Sequence, residues 1–288
     1  MKTVIITGAS SGFGEGSAKA FADKGYRVFG TMRDSAGRNA DKKAALENYS
    51  SAISIVEMDV ASDASVKAGF EAIIEKGNID VLVNNAGIMY LGITEAFSID
   101  QAKEQMNTNY FGAMRAIQAV LPSMRAAGSG LIINTSSIVG RISPPFFGTY
   151  SATKHALEAY SQALRYEVSP FGVDIAMVEP GPFGTGLLGA GKPAARTDIL
   201  ETYGDLAGVP NAMGEEFAKM LTSEGAPDPQ WVVDAYLELA EMEAGTRPVR
   251  KVVGLTWGVD EVNQHTQPIQ DNILNEMQLD AVLSGKDA

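Results

Sequence analysis

Tyr150 and Lys154 stand four residues apart in the segment Tyr150-Ser151-Ala152-Thr153-Lys154. On a helix that spacing puts the phenol and the ammonium on one face. A free phenol, with a pKa of about 10, is a feeble base at neutral pH, and a neighbouring cation favours its phenolate. Before it comes an apolar run, Gly130 to Thr135, that ends in Ser136-Ser137. A serine hydroxyl there can donate to or accept from a substrate oxygen and hold it in line with the phenol. Together the three groups suit proton transfer to and from an oxygen. His155, beside Lys154, falls on another helix face from Tyr150 and reads as packed or exposed.

A second set of residues tells what such a proton transfer would stand beside. Thr3-Val4-Ile5-Ile6-Thr7 runs straight into Gly8-Ala9-Ser10-Ser11-Gly12-Phe13-Gly14, and a helical pattern continues to Lys24 before Gly25. A strand entering a helix through a glycine-rich turn aims unpaired backbone N–H groups and the positive helix end at one point, which suits a pyrophosphate. Gly8 allows the tight turn, Gly12 leaves the backbone open to phosphates, and Gly14 lets helix and strand pack closely.

The elements that must position these groups follow in order. Tyr26 to Met32 reads as a second strand, ending at Arg33-Asp34. Side chains at that strand end can choose between a ribose 2′-hydroxyl and a 2′-phosphate, and the Arg33 guanidinium matches a phosphate. The plainer reading of Arg33 is a solvated surface charge. A short helix over Lys42 to Tyr49 precedes a third strand, Ile53 to Met58, with Asp59-Val60 after it; Asp59 can also cap the helix that starts near Asp63. Ile79 to Val83 is the fourth strand, followed by Asn84-Asn85-Ala86-Gly87. Its amides can bond adjacent strands while Ala86-Gly87 leaves room for a cofactor ribose. Ser98 and Gln101 form a capping box for a long helix toward Ala127. Asn109 lies inside it, either holding a water or satisfying a nearby backbone group.

Val173 to Val178 is the sixth strand, and Glu179-Pro180-Gly181-Pro182-Phe183-Gly184-Thr185 forces an irregular turn after it. Residues 186–226 mix glycines with Leu187, Leu188, Met213 and Phe217, a pattern that suits a mobile lid over a greasy substrate or surface helices of no special role. A helix follows Asp228-Pro229 and runs to about Glu243. Val249 to Leu255 is a seventh strand, and residues 260–288 form a C-terminal extension, either an oligomer contact or a second wall of the pocket. Seven strands alternating with six helices, each connection long enough for a crossover, predict an α/β, Rossmann-like, doubly wound parallel sheet in one domain over 1–288.

The glycine spacing with Thr7 ahead of it, the Asn-Asn-Ala-Gly run and Tyr-x-x-x-Lys thirteen residues after Ser137 resemble the short-chain dehydrogenase/reductase family. The resemblance spans about Met1 to Thr185 and implies hydride transfer between a nicotinamide cofactor and a carbonyl or secondary alcohol carbon. It makes Tyr150 the proton donor, with Lys154 tuning the phenol and gripping the nicotinamide ribose. Ser137, rather than Ser136, orients the oxygen, and Asn109 anchors a relay water. It implies cofactor contacts from Gly8, Ser10, Ser11, Gly12, Phe13, Gly14, Arg33, Asp59, Val60, Asn85, Ala86, Gly87, Tyr150 and Lys154. From the Pro-Gly turn it adds Pro180, Gly181, Phe183 and Thr185. Asp59 would accept from the adenine amino group. Members preferring NADP often carry Arg near position 33 and lack the acid before it, where this chain has Met32, so NADP(H) is favoured over NAD(H). Met89, Tyr90, Phe146, Phe147, Leu187 and Leu188 would flank a hydrophobic ketone or secondary alcohol. A cofactor-binding regulator without catalysis and a sugar-nucleotide epimerase or dehydratase of the extended class are the rival readings.

The composition narrows the partners. With 23 Lys and Arg against 35 Asp and Glu, a net charge of −12 disfavours nucleic acid and anionic membranes. There is no run of eighteen apolar residues and no basic, apolar leader, so a soluble, uncleaved cytoplasmic protein is expected. No cysteine and only two histidines argue against a disulfide framework, a metal site or a Ser-His-Asp triad. The expected partner is a small carbonyl or alcohol substrate, with a homo-oligomer as a further expectation.

Overall fold

A computed structural model describes residues 1–187 and 190–279. Leu188, Gly189 and the last part of the C-terminal extension lie outside the described residues.

The first βαβ units carry the pattern read from the sequence. Strand β1 (Thr3–Thr7) is buried throughout and leads into helix α1 (Gly12–Asp23). Then come β2 (Arg27–Met32), α2 (Ala40–Tyr49), β3 (Ile53–Glu57), α3 (Asp63–Ile74) and β4 (Val81–Asn84). The second half holds α4 (Ile99–Met106), α5 (Gly112–Ala127), β5 (Gly130–Thr135), α6 (Gly148–Val168) and β6 (Val173–Pro180). Short helices α7 (Thr197–Thr202) and α8 (Val209–Thr222) occupy the expected lid, before α9 (Gln230–Glu241), β7 (Arg250–Val253) and α10 (Val259–Glu276).

All seven strands pair in parallel in the order β3-β2-β1-β4-β5-β6-β7. The order reverses direction between β1 and β4, so a crevice opens there at the carboxyl edge, where open α/β sheets bind ligands. The sheet is sandwiched between two apolar layers. One gathers Phe21, Val232, Tyr236 and Leu239 from α1 and α9; the other gathers Phe70, Ile73, Ile117 and Val120 from α3 and α5. Strands covered on both faces read as continuous apolar runs, which is why β1, β4 and β5 were plain in the sequence.

Ten α-helices stand among the described residues, not six. The long helix expected from Ser98 to Ala127 starts as predicted, with the reciprocal Ser98–Gln101 capping box in place, but it is interrupted by a π-helical turn over Asn107–Phe111. That turn carries Asn109. Such π-bulges re-aim side chains and main-chain carbonyls, and they concentrate at functional sites.

Candidate active site

A single cleft of ≈ 440 Å³ runs along the carboxyl edge of the sheet, from Arg33 at the end of β2 to Trp257 beyond β7. Every sequence-predicted site residue lines it except Gly14 and Asn109. Gly8 turns the chain at φ +70°, and a Cβ there would come within 2.9 Å of Ala86 Cα. A Cβ at Gly14 would fall 2.3 Å from the Gly8 carbonyl oxygen and 2.6 Å from Asn85 Nδ2, so this glycine works by letting α1 pack, not by touching a ligand. Thr7 Oγ1 accepts from the Asn85 and Ala86 N–H groups (3.0 and 3.1 Å), while Asn85 Nδ2 donates to the Thr7 and Gly8 carbonyls (2.9 and 3.1 Å). These four bonds lock the β1 turn to the β4 turn. Asn84 reaches the other way, donating to Asn134 Oδ1 on β5 at 2.8 Å. Ser11 is the N-cap of α1 yet spends no side-chain bond on the helix, which leaves its hydroxyl for a ligand at the helix end.

The ribose end of the cleft is more basic than the sequence suggested. Arg33 is joined there by Arg38 and Asn39 from the next loop. Glu57, at the end of β3, accepts from the backbone N–H groups of Asp34 and Ser35, both at 2.7 Å, and from the Ser35 hydroxyl at 2.5 Å. Those bonds hold its carboxyl below the usual carboxylate range and fix the loop. Asp34, at φ +51°, lies beside Arg38 (3.7 Å) instead of lining the cleft. Asp59 Oδ1 accepts from the Ala61 N–H, and Arg33 approaches its other oxygen at 3.9 Å. Its alternative role is taken elsewhere: Ser62, not Asp59, caps α3.

At the opposite end the expected proton-transfer groups meet. Ser137 lies beside the Tyr150 hydroxyl, and its Oγ is 3.3 Å from the Pro180 carbonyl and from the Val139 N–H. Lys154 Nζ donates to the Thr135 carbonyl at 2.7 Å and sits 5.7 Å from the Tyr150 ring centroid. Burial pushes the Lys154 ammonium down to about 8, against the pull of Glu158 in the other direction. Burial also pushes the phenol up, with only the Ser137 bond opposing it. In the protein alone, desolvation therefore outweighs the nearby cation, opposite to the lowered phenol expected from the Tyr-x-x-x-Lys spacing. His155 is exposed and bonds only the Ser151 carbonyl of its own helix. Among the described residues no group of His, Cys, Asp and Glu could hold a metal.

Asn109 is buried, and its amide is occupied: Oδ1 accepts from the Ile88 N–H, and Nδ2 donates to the Ile88 carbonyl and to Thr153 Oγ1, at 2.8, 2.8 and 3.0 Å. Of its two sequence readings, the side chain does what the second describes and satisfies a neighbouring backbone group.

Comparison with known proteins decides the family. A family model described as short chain dehydrogenase matches residues 2–194. The chain belongs to the short-chain dehydrogenase/reductase family. It is 41% identical over 203 residues to a 3-ketodihydrosphingosine reductase of Bacteroides thetaiotaomicron, covering 70% of this chain and 71% of that one. It is 36% identical over 216 residues to bovine retinol dehydrogenase 8, covering 71% and 69%. A crystal structure of a short-chain dehydrogenase from Streptomyces avermitilis superposes with a TM-score of 0.77 at 30% identity, covering 96% of each chain. This short-chain dehydrogenase/reductase is thus a nicotinamide-dependent oxidoreductase moving hydride between its cofactor and a carbonyl or alcohol carbon. The cleft fits that cofactor: it is long, basic at the end of β2, lined by Gly8 and Gly12 at the helix turn and flanked by Tyr150 and Lys154 at the far end.

The end of the cleft beyond Tyr150 is apolar in this short-chain dehydrogenase/reductase. Met89, Ile138, Val139, Phe147, Tyr150 and Val259 form one buried cluster, with Leu187, Met213 and Phe217 packed against it. Met89, Phe147 and Leu187 line the cleft as expected, whereas Tyr90 and Phe146 do not. Tyr90 is instead buried and stacked on Phe97, and Phe146 turns at φ +71°. Phe217 and Trp257, which the sequence did not single out as a pair, stack at 6.2 Å on the cleft wall. Trp257 holds a left-handed φ of +48°, a conformation no sequence periodicity signals.

Proposed function

We propose that the protein is a carbonyl reductase of hydrophobic ketones that prefers NADP(H), working in the reductive direction through Tyr150, Ser137 and Lys154. The observation that carries this reading is the meeting of Ser137, Tyr150 and Lys154 on one wall, where the cleft passes from its polar turn into its apolar cluster. A bound nicotinamide supplies the hydride. Ser137 donates to the substrate carbonyl oxygen and holds it beside the phenol, and Tyr150 gives its proton to that oxygen as negative charge grows there. A phenol kept protonated by burial is the form a proton donor needs. Lys154 spends one N–H on the Thr135 carbonyl, which fixes the ammonium beside Tyr150 and leaves donors for a ribose hydroxyl. With the Asn109 amide occupied by Ile88, its part is to hold the wall beyond Gly87; a relay water would be held by main-chain carbonyls of the π turn.

NADP(H) preference rests on the paired guanidiniums of Arg33 and Arg38, with Asp34 drawn off to Arg38 where an acid facing the ribose would repel a 2′-phosphate. The hydrophobic substrate rests on the apolar cluster and on relatives named for ketodihydrosphingosine and retinol, both largely hydrocarbon. We take residues 1–288 as one domain, with 186–226 as the lid and the start of the C-terminal extension as the second wall. The lid's first half is moored by Gln101, bonded to Pro193 and Ala195, and by the Lys192–Glu104 pair. The experiment is oxidation of NADPH by the purified protein with a series of ketones of increasing chain length. Turnover should rise with chain length and be faster with NADPH than with NADH. Turnover confined to short polar carbonyls, or an NADH preference, would overturn the reading.

A further inference from the structure

Directly behind Tyr150 and Lys154 lies a cluster of buried charge that proton transfer to the substrate does not use. Glu158 follows Lys154 by one turn of α6 and is 2% exposed; Glu179 immediately precedes Pro180 at the end of β6 and is fully buried. Both face the guanidinium of Arg250 on β7, whose Nε lies 2.8 Å from Glu158 Oε2 and 3.4 Å from Glu179 Oε1. The other Arg250 nitrogens donate to Gln267 of α10, at 3.1 Å, and to Gln162 of α6. Glu179 Oε2 accepts from Asn263 Nδ2 of α10 at 2.5 Å. Arg141, four residues past Ser137, donates to Asn263 Oδ1 (2.8 Å) and Thr266 Oγ1 (2.6 Å). One knot thus ties together the segments that carry Ser137, Lys154 and the Pro180-Gly181 turn, and α10 closes it from behind.

Two buried acceptors in the knot make no hydrogen bond: Glu158 Oε1, and Glu179 Oε1, which has only the longer ion-pair contact to Arg250. An unsatisfied carboxylate oxygen in a dry interior is costly, and two carboxylates side by side cannot both stay charged cheaply. The two carboxyl groups converge on one atom, Arg250 Nε, at 2.8 and 3.4 Å. A single proton between them gives each orphan a partner and leaves one negative charge, which faces Arg250 and supports the Lys154 ammonium.

We propose that Glu158 and Glu179 share one proton at neutral pH, and that this buried acid pair is a positioning device for the catalytic helix and for the turn that holds the cofactor. The part concerning the cofactor rests on the function proposed above. The groups facing the pair are Lys154 and Gln162 on α6, Arg250 on β7, Arg141 after β5, and Asn263, Thr266 and Gln267 on α10. Burial and the charge of Glu158 raise the Glu179 carboxyl far above the ordinary value of 4.5, offset in part by Asn263 and Arg250. A group raised in the folded state stabilises it below its unfolded pKa, and that contribution is lost as pH climbs through the folded value. Loss of the shared proton then sets two buried carboxylates against each other at the root of the Pro180-Gly181 turn.

The test uses the full chain without cofactor first. Infrared spectra of protein labelled with 13C-glutamate should show a protonated-carboxyl stretch at pH 7, where exposed glutamates have ionised, and Glu179→Gln should remove it. The urea midpoint of the wild type should fall as pH rises from 4.5 through neutrality, and Glu179→Gln, whose amide donates to Glu158 at every pH, should lack this slope. NADPH affinity should weaken about tenfold over the upper part of that range in the wild type, the equivalent of one unit of pKa coupling, and stay flat in Glu179→Gln. If that variant does not fold, Glu158→Gln must abolish the same infrared band. Absence of the band from the wild type, or its survival in the variant together with the wild-type slope, overturns the shared proton. A band that is present while NADPH does not bind at any pH overturns the cofactor reading and leaves the pair standing.

Discussion

Arg33 and Arg38 show how a site is completed by a residue that carries no signal of its own. Arg33 was legible because it ends a strand whose position in the fold gives it meaning. Arg38 sits in a loop, and bonds to side chains, among them the three from Asp34 and Ser35 to Glu57 and that from Asn39 to the Arg33 carbonyl, place that loop over the cleft. Both guanidiniums are partly solvated, so each contributes modestly, on the order of 1 kcal/mol. Arg33→Ala should weaken NADPH binding about tenfold and leave NADH binding unchanged, as read by titration of cofactor fluorescence. Equal losses for the two cofactors would mean that Arg33 holds the loop and not a phosphate. The same distinction between position and contact applies to Gly14 and Asn109. The sequence reading gave both a place at the site, and in the structure each contacts the backbone beside the cleft and does not line it.

Among the elements, those with a short-range signature were readable and those built by packing were not. The strand-turn-helix at Thr3 to Gly14 and the capping box at Ser98 are written in neighbouring residues. The π turn at Asn107–Phe111 is not, because one extra residue in a turn leaves the apolar periodicity nearly intact. The segment proposed as a lid shows in the sequence as a loosened pattern, but its bonds to Gln101 and Glu104 join residues far apart in the chain. Likewise α8 and the segment before α10 meet through the stack of Phe217 and Trp257. If that stack closes the substrate end, Trp257→Ala should raise KM for long-chain ketones about tenfold, in keeping with loss of an aromatic contact to the ligand, while NADPH affinity holds. Unchanged KM across the chain-length series would place Trp257 outside the substrate path.

For the molecule as a whole, the order β3-β2-β1-β4-β5-β6-β7 accounts for why so much was legible. A doubly wound sheet delivers every β-to-α turn to the same edge, so motifs scattered from Gly8 to Thr185 need only be placed at strand ends to converge. What the topology does not dictate is the interior behind that edge. Glu158, Glu179, Arg250, Asn263 and Arg141 come from five separate elements of the chain, and nothing in their spacing announces a common site. The phenol also shows the limit of local reasoning, since burial raises it where the adjacent lysine alone argued for the reverse.

The convergence of Ser137, Tyr150 and Lys154 beside the cofactor is most directly tested with Tyr150→Phe, which deletes one oxygen and keeps the ring that packs in the apolar cluster. Ketone reduction followed by NADPH absorbance should fall by at least about a hundredfold, the range expected for loss of a positioned proton donor, while NADPH affinity and the melting temperature stay near wild type. Turnover within a few-fold of wild type, with cofactor binding intact, would contradict the assignment of Tyr150 as the group that protonates the substrate oxygen.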